Sequence, residues 1–165
     1  FIHALDFNER DAKGNVLIIG AGATARAVIA ACDGVSDKVT VVNRNSDREM
    51  AMRNSAPVTE INFVSWSDAI NFGTYDLLVN TTPGNAAAVF TDQIKSVTST
   101  FFEVLYNPWP TQLLAHWRKS GGFGIDGLEL LIHQAISQAS IFTDGPIDRG
   151  SMAKILRSAG EKALS

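Results

Sequence analysis

The chain has 165 residues, which is enough for one domain with a sizeable buried core. Hydrophobic residues make up 45% and charged residues 19%, and the net charge of −3 excludes a globally basic protein of the kind that binds nucleic acid or anionic membranes. No run approaches the ~18 apolar residues of a membrane helix, and no signal peptide is visible, so we expect a soluble protein with no membrane partner.

Short β-branched runs alternate with helical patterns, which is typical of βαβ units around a parallel sheet. The first half of the chain predicts helices over residues 1–5, 23–32 and 47–54, and strands over 15–19, 39–42 and 60–64. The apolar run AVIAAC places the single cysteine, Cys32, in the second of these helices. It predicts a buried thiol that forms no internal disulfide, and it fits a cytoplasmic protein.

The second half of the chain continues the alternation. Strands are predicted over residues 76–80, 100–105 and 123–125, and helices over 111–119, 128–140 and 148–163. Thr111 is the expected N-cap of its helix. The apolar face of the last helix is expected to carry Met152, Ile155, Leu156 and Ala159. Six strands with interleaved helices predict an α/β fold with a doubly wound, mostly parallel sheet, the Rossmann dinucleotide-binding fold.

A glycine-rich turn, GAGATA, connects the first strand to the alanine-rich helix. Gly20 permits the tight turn, Gly22 lets a pyrophosphate approach the backbone, and Ala25 allows the helix to pack closely on the strand. The phosphates would then meet free N–H groups at the helix N-terminus. A turn that is merely tight is the alternative.

The end of the second strand, VTVVNRNSDR, carries no acidic residue at the place where NAD-binding domains need one for the ribose 2′-hydroxyl. Asn43 is neutral there, and Arg44 offers a planar fork suited to phosphate oxygens. Asn45 and Arg48 add further donors. NADP is therefore the predicted cofactor, and a solvated arginine at a strand end is the alternative.

Polar side chains follow the fourth and fifth strands at the same predicted edge of the sheet. Asn80 and Thr81 can hydrogen-bond a ribose or a phosphate, and Tyr106 can present its hydroxyl to a ligand. Gln134 lies two helical turns after Gly127, on roughly the same helix face. The histidines, His3, His116 and His133, share no metal-ligand spacing, so no metal site is expected.

Five motifs in this order, GAGATARA, NRNSDR, NTTPG, YNPWPTQLL and GLELLIHQA, resemble the C-terminal half of the shikimate dehydrogenase family. That family reduces 3-dehydroshikimate with NADPH on the route to aromatic amino acids. The resemblance covers about residues 14–140. It implies that the pyrophosphate is held by Gly22, Ala23 and Thr24, and the 2′-phosphate by Asn43, Arg44 and Arg48.

The resemblance also implies contacts at the reacting end of the cofactor. Asn80 and Thr81 would lie near the nicotinamide ribose, Gly127 near the nicotinamide, and Tyr106 and Gln134 against the substrate. Asn45 stands where the family has threonine, Leu130 stands where it usually has methionine, and the loop after Asn80 lacks the usual Gly-Met pair. The contacts that the family makes through its own residues at these positions are therefore not carried over to this chain.

The family's catalytic lysine and aspartate belong to an N-terminal substrate domain. We therefore expect residues 1–14 to be a linker helix from that domain, 15–146 the NADP-binding domain, and 147–165 a C-terminal helix that contacts the other domain or a second copy in a homodimer. No catalytic residue is expected in this chain, which would bind NADP without turnover. A quinate-type paralogue and a non-catalytic NADP-sensing module are the alternatives.

Overall fold

Six strands form one sheet in this computed structural model, which describes residues 1–143 and 145–164. The strands are β1 (Asn15–Ile19), β2 (Lys38–Asn43), β3 (Glu60–Ser65), β4 (Leu77–Asn80), β5 (Thr100–Glu103) and β6 (Phe123–Ile125). Their order across the sheet is β3-β2-β1-β4-β5-β6, and each neighbouring pair is parallel. The predicted doubly wound Rossmann sheet is confirmed.

Helices connect these strands and follow the last of them. They are α1 (Ile2–Phe7), α2 (Ala23–Cys32), α3 (Glu49–Arg53), α4 (Gln112–Lys119), α5 (Gly127–Thr143) and α6 (Arg149–Leu164). Short 3-10 helices lie at Ser46–Arg48, Phe72–Thr74 and Ala86–Gln93. Thr111 caps α4 as predicted, because its side chain accepts a hydrogen bond from the Leu114 N–H at 3.2 Å.

Successive side chains of β1 point to opposite faces of the sheet and divide the core in two. Val16 and Ile18 belong to a core formed with helices α1, α2 and α3. Leu17 and Ile19 belong to a second core formed with α4 and the 3-10 helix Ala86–Gln93. Because both faces are covered, the central strands are continuous apolar runs, and this is why the sequence shows them clearly.

Several predicted elements differ from those observed. The predicted helix over 47–54 is a 3-10 turn followed by the short helix α3, since the Asn45 side chain caps the turn by accepting the Asp47 N–H at 2.8 Å. The strand predicted over 100–105 ends at Glu103. The 3-10 helix Ala86–Gln93 was not predicted, and its buried residues, Ala87 and Phe90, are one 3-10 turn apart.

Helix α6 packs on α5 with only part of its predicted apolar face. Of the four residues predicted to share an apolar face, Ile155 is 63% exposed and Ala159 is also exposed. Ala153 is fully buried in their place, with Met152 and Leu156 packed beside it. Helix α6 thus buries Ala153 and one side of the predicted apolar face, and it leaves Ile155 exposed.

A buried ion pair fastens α6 to the start of α5. Asp126 is 1% exposed and accepts two hydrogen bonds of 2.7 Å from the Arg157 guanidinium. Arg157 also contacts Glu129 at 3.1 Å and Glu161 at 2.7 Å. Burial alone would raise the pKa of Asp126, but the hydrogen bonds and charge of Arg157 outweigh it and hold that pKa below its ordinary value. The carboxylate therefore stays charged inside the protein.

Cys32 is a free, buried thiol as predicted, and burial raises its pKa. Helix α1 packs Ala4 and Leu5 into the core of the sheet, while Ser165, the last residue of the predicted C-terminal segment, lies outside the described residues. Within the described residues, no helix is long and apolar enough to cross a membrane, and no group of three or more His, Cys, Asp or Glu side chains is arranged to hold a metal ion.

Candidate functional site

An open cleft of about 370 Å³ lies at the carboxyl edge of the sheet, between the ends of β2 and β4. Strand β1 lies between these two strands, so the strand order reverses at this point, which is where ligands bind in open α/β sheets. The lining comes from the ends of four strands and the loops after them: Gly20, Ala21, Gly22, Val42, Asn43, Arg44, Asn45, Arg48, Trp66, Thr81, Thr82, Pro83 and Ala86.

The glycine turn after β1 forms the floor of the cleft. Gly20 has φ of +108°, and a Cβ at this position would lie 2.6 Å from the Thr81 hydroxyl oxygen. That hydroxyl donates a hydrogen bond to the Ile19 carbonyl at 2.9 Å, which fixes the neighbouring loop against the turn. Gly20 is therefore required both by its backbone conformation and by the close approach of Thr81.

Gly22 serves a different purpose. A Cβ at Gly22 would meet no atom within 4 Å, so the space in front of this residue is open. Gly22 is the N-cap of α2 and offers no side-chain cap, so the first N–H groups of the helix, including those of Ala23 and Thr24, keep their donors for another partner. Open space before uncapped donors at the positive end of a helix suits a phosphate group.

The opposite wall of the cleft begins at the end of β2. Asn43 is buried, and its side-chain amide donates to the Asn45 carbonyl at 3.2 Å and to the Glu49 carboxylate at 3.3 Å. The Asn45 amide in turn donates to Asp47 at 2.8 Å. Both side chains line the cleft, but they also hold its wall in shape.

Two arginines supply the positive charge of the cleft. The Arg48 guanidinium donates to the Ala21 carbonyl at 3.2 Å and so ties this wall to the glycine turn. Arg44 is exposed, and its guanidinium carbon lies 4.3 Å from the centroid of the Trp66 ring. Among the described residues, Arg44 makes no side-chain hydrogen bond and no ion pair. Its donors are thus available to an anion in the cleft.

Sequence reasoning missed Trp66. It follows β3, whose Ser65 lies beside Asn43 in the parallel register of β2 and β3. The backbone N–H of Trp66 donates to the Asn43 carbonyl at 2.8 Å, and the ring lies next to Arg44. An aromatic residue at the carboxyl end of the strand beside β2 is the signal that could have identified it.

Asn80 lies below the cleft instead of lining it. It is 2% exposed, and its amide donates to both oxygens of the Glu103 carboxylate at 3.1 and 3.0 Å. Glu103 is fully buried and also accepts hydrogen bonds from the Thr111 hydroxyl at 2.8 Å and the Leu105 N–H at 3.1 Å. Burial raises the pKa of Glu103 in spite of these donors. The predicted contact of Asn80 with a ribose stays a prediction.

The residues predicted to meet the substrate lie further along the same edge and are not part of the cleft lining. Tyr106 is 50% exposed, and Gln134 is exposed on α5. Gly127 is buried, and a Cβ there would lie 2.3 Å from the backbone of Leu105, so its glycine is required by close packing. The roles predicted for these residues stay predictions.

Residues 4–103 match the family model described as shikimate / quinate 5-dehydrogenase. A curated shikimate dehydrogenase (NADP(+)) of Methanosphaera stadtmanae is 31% identical over 142 residues, which are 78% of this chain and 50% of that protein. Another, of Prochlorococcus marinus, is 30% identical over 161 residues, which are 88% of this chain and 56% of that protein.

The fold has a matching solved structure. The crystal structure of Mycobacterium tuberculosis shikimate dehydrogenase gives a TM-score of 0.82 at 29% sequence identity, covering 96% of this chain and 61% of that chain. The chain spans about half the length of the curated relatives that it matches.

Proposed function

The chain belongs to the shikimate / quinate 5-dehydrogenase family, and from that premise we propose that it is the NADP-binding part of a cytoplasmic shikimate dehydrogenase. The whole enzyme would reduce 3-dehydroshikimate to shikimate with NADPH, in the route to aromatic amino acids. NADPH supplies the hydride when bound, and this chain's residues bind and orient it.

The free guanidinium of Arg44 carries the proposal. It lines the cleft with its donors unpaired among the described residues, and no acidic side chain lines the cleft beside it. A carboxylate there would repel a 2′-phosphate, whereas a guanidinium attracts it and fits two of its oxygens. The adenosine 2′-phosphate would be bound by Arg44, with Asn43, Asn45 and Arg48 around it.

The glycine turn fits the other phosphates of the same cofactor. The open space before Gly22 and the uncapped N–H groups of Ala23 and Thr24 would accept the pyrophosphate, with Gly20 shaping the turn. From there the cofactor would continue past Thr81 and Asn80 toward Gly127. This path sets the nicotinamide end near Tyr106 and Gln134, where a small-molecule substrate would bind.

Turnover needs a group that this cleft lacks. Reduction of a ketone by hydride requires a proton donor beside the carbonyl. The shikimate dehydrogenase family has its catalytic lysine and aspartate in a substrate domain, and the side chains that this proposal sets beside the nicotinamide, Tyr106 and Gln134, include neither residue type. We therefore propose that this chain binds NADP without oxidising shikimate, and an enzyme-like rate of NADP reduction by the purified chain with shikimate would contradict this.

Direct titration tests the cofactor assignment. NADPH and NADH are added in parallel to the 165-residue chain, and nicotinamide fluorescence is followed. We expect clear saturation by NADPH and weak binding of NADH. Equal affinity for the two cofactors would remove the 2′-phosphate site, and a quinate-type, NAD-using relative would then describe the chain better.

Gly22→Ser separates binding from stability. Because a Cβ at Gly22 meets no atom and serine is a good N-cap, we expect the free energy of unfolding to change by less than about 0.5 kcal/mol. NADPH affinity should fall at least about tenfold, since the new side chain stands where the pyrophosphate approaches. Urea unfolding and the NADPH titration measure the two quantities, and unchanged affinity would contradict the assignment.

The outer face of α6 offers a surface for a partner. Ile155 is 63% exposed on this helix, although isoleucine usually lies inside. We propose that this face contacts a second copy of the chain or the rest of the whole protein. Sedimentation of the chain over a range of concentrations would detect a homodimer, and Ile155→Lys should weaken it.

A further inference from the structure

We propose that Trp66 is a positioning residue that holds Arg44 in place for the 2′-phosphate, so that selection of NADP over NAD depends on a residue outside the β2 segment. This inference rests on the proposed function of the cleft. The ring would act through Arg44 and would make no hydrogen bond to the cofactor itself.

Arg44 has few other contacts that would hold its side chain in one orientation. An arginine side chain loses much rotamer freedom when it is fixed in one orientation. Arg44 is exposed, and the described residues give its guanidinium neither a hydrogen bond nor an ion pair. The contact that orients it is with the Trp66 ring, at 4.3 Å from the ring centroid, well within the range of a cation–π interaction.

An aromatic ring suits the positioning of Arg44 better than a charged partner does. The N–H donors of a guanidinium lie in its plane. A carboxylate would hold the group by using those donors, and they would be lost to a ligand. An aromatic ring holds the flat face and leaves the donor edge free for phosphate oxygens. Trp66 therefore fixes the arginine while preserving its capacity to bind an anion.

Trp66 is itself held in place by its neighbours. Its backbone N–H donates a hydrogen bond to the Asn43 carbonyl at 2.8 Å. Behind it, the ring of Phe90 lies 4.9 Å away between centroids, and Phe90 is 1% exposed. Phe90 belongs to the 3-10 helix Ala86–Gln93, whose first residue, Ala86, also lines the cleft. The contacts from Arg44 through Trp66 to the tilted ring of Phe90 thus begin at the cleft surface and end in the core.

The test uses ligands that carry or lack the 2′-phosphate but have no nicotinamide. Adenosine 2′,5′-bisphosphate and adenosine 5′-monophosphate are titrated by calorimetry into the 165-residue chain and its variants Trp66→Leu and Trp66→Phe. Because an exposed cation–π contact is worth about 0.5–1 kcal/mol, Trp66→Leu should weaken the bisphosphate about 2- to 5-fold. The monophosphate should change less than about twofold, and Trp66→Phe, which keeps a ring, should restore most of the loss.

Arg44→Ala and the double variant Arg44→Ala/Trp66→Leu complete a cycle. We expect the double variant to bind the bisphosphate no more weakly than Arg44→Ala alone, because the ring acts through the arginine. Additive losses, or equal losses for both ligands on Trp66→Leu, would overturn the role of Trp66. If Arg44→Ala abolishes the preference for the bisphosphate while Trp66→Leu keeps it, this inference fails and the NADP assignment stands. If the unaltered chain shows no preference, both fail.

A measurement on the unaltered chain guards against a Trp66→Leu variant that does not fold. The Nε proton of Arg44, assigned by its absence in Arg44→Ala, should resonate upfield of ordinary arginines because of the ring current of Trp66. The upfield position should persist when adenosine 2′,5′-bisphosphate saturates the chain. An ordinary position in both states would show that the contact between Arg44 and Trp66 does not form in solution and would overturn the proposal.

Discussion

Replacing Arg44 with alanine should weaken NADPH binding about 10- to 150-fold, since a hydrogen bond to a charged group contributes about 1.5–3 kcal/mol. NADH affinity should change less than about twofold, because NADH has no 2′-phosphate for the guanidinium to meet. Arg44 lies on the surface without a hydrogen bond or ion pair to other described residues, so its removal leaves the fold intact. Fluorescence titration of both cofactors measures the two affinities.

Arg53→Ala is the matched control. Arg53 also lies over an aromatic ring, with its guanidinium carbon 4.8 Å from the centroid of Phe63, but it is not part of the cleft lining. Its replacement should leave both cofactor affinities unchanged. Arg44→Lys should fall between the two, because an ammonium keeps the charge and loses the planar fork. Equal losses of NADPH and NADH on Arg44→Ala would remove the 2′-phosphate assignment.

Arg157→Met should cause the largest loss of stability. Asp126 is 1% exposed, and without Arg157 it would lose two hydrogen bonds of 2.7 Å and keep the longer contact with the Arg118 guanidinium at 3.6 Å. Removing one partner of a buried ion pair costs about 3–5 kcal/mol. The Arg157 side chain keeps 26% exposure, so we expect about 3 kcal/mol, toward the lower end of that range. Urea unfolding at neutral pH measures the difference.

The pH dependence of that loss tests its cause. The pKa of Asp126 is held below its ordinary value, so this pair stabilises the fold above the unfolded pKa of about 3.9 and ceases to do so as the pH falls through the folded value. The gap between the two proteins should therefore narrow below about pH 4. Lys154→Met, on the same helix, is the control, and a similar loss for both variants would contradict the role of the pair.

The strands could be predicted because their cause is local in the sequence. Strands β1 and β2 are buried on both faces and so consist of apolar runs that the sequence shows directly. The buried face of α6 has a different origin. A Cβ at Gly160 would lie 2.6 Å from a methyl carbon of Leu128, so the shape of α5 decides which residues of α6 face inward. The hydrophobic pattern of α6 alone does not predict that contact with α5.

The candidate site divides in the same way. Gly20, Gly22 and Arg44 belong to short motifs whose spacing follows from the chain itself, and the structure brings them to one cleft as expected. Trp66 reaches Arg44 through the pairing of β2 with β3, and Asn80 meets Glu103 through the pairing of β4 with β5. Both contacts depend on strand register, which the residues of one strand do not specify.

The residues after β2 stand apart from the packed core. Asn43 is buried, whereas residues 44–48 are all exposed. Substitutions at these five positions remove little buried surface, so we expect them to change the free energy of unfolding only slightly. In an evolving lineage, a few substitutions at these positions could change the preferred cofactor from NADP to NAD or back. The protein would stay folded after each substitution. Cofactor preference is therefore expected to vary among relatives that keep the same sheet.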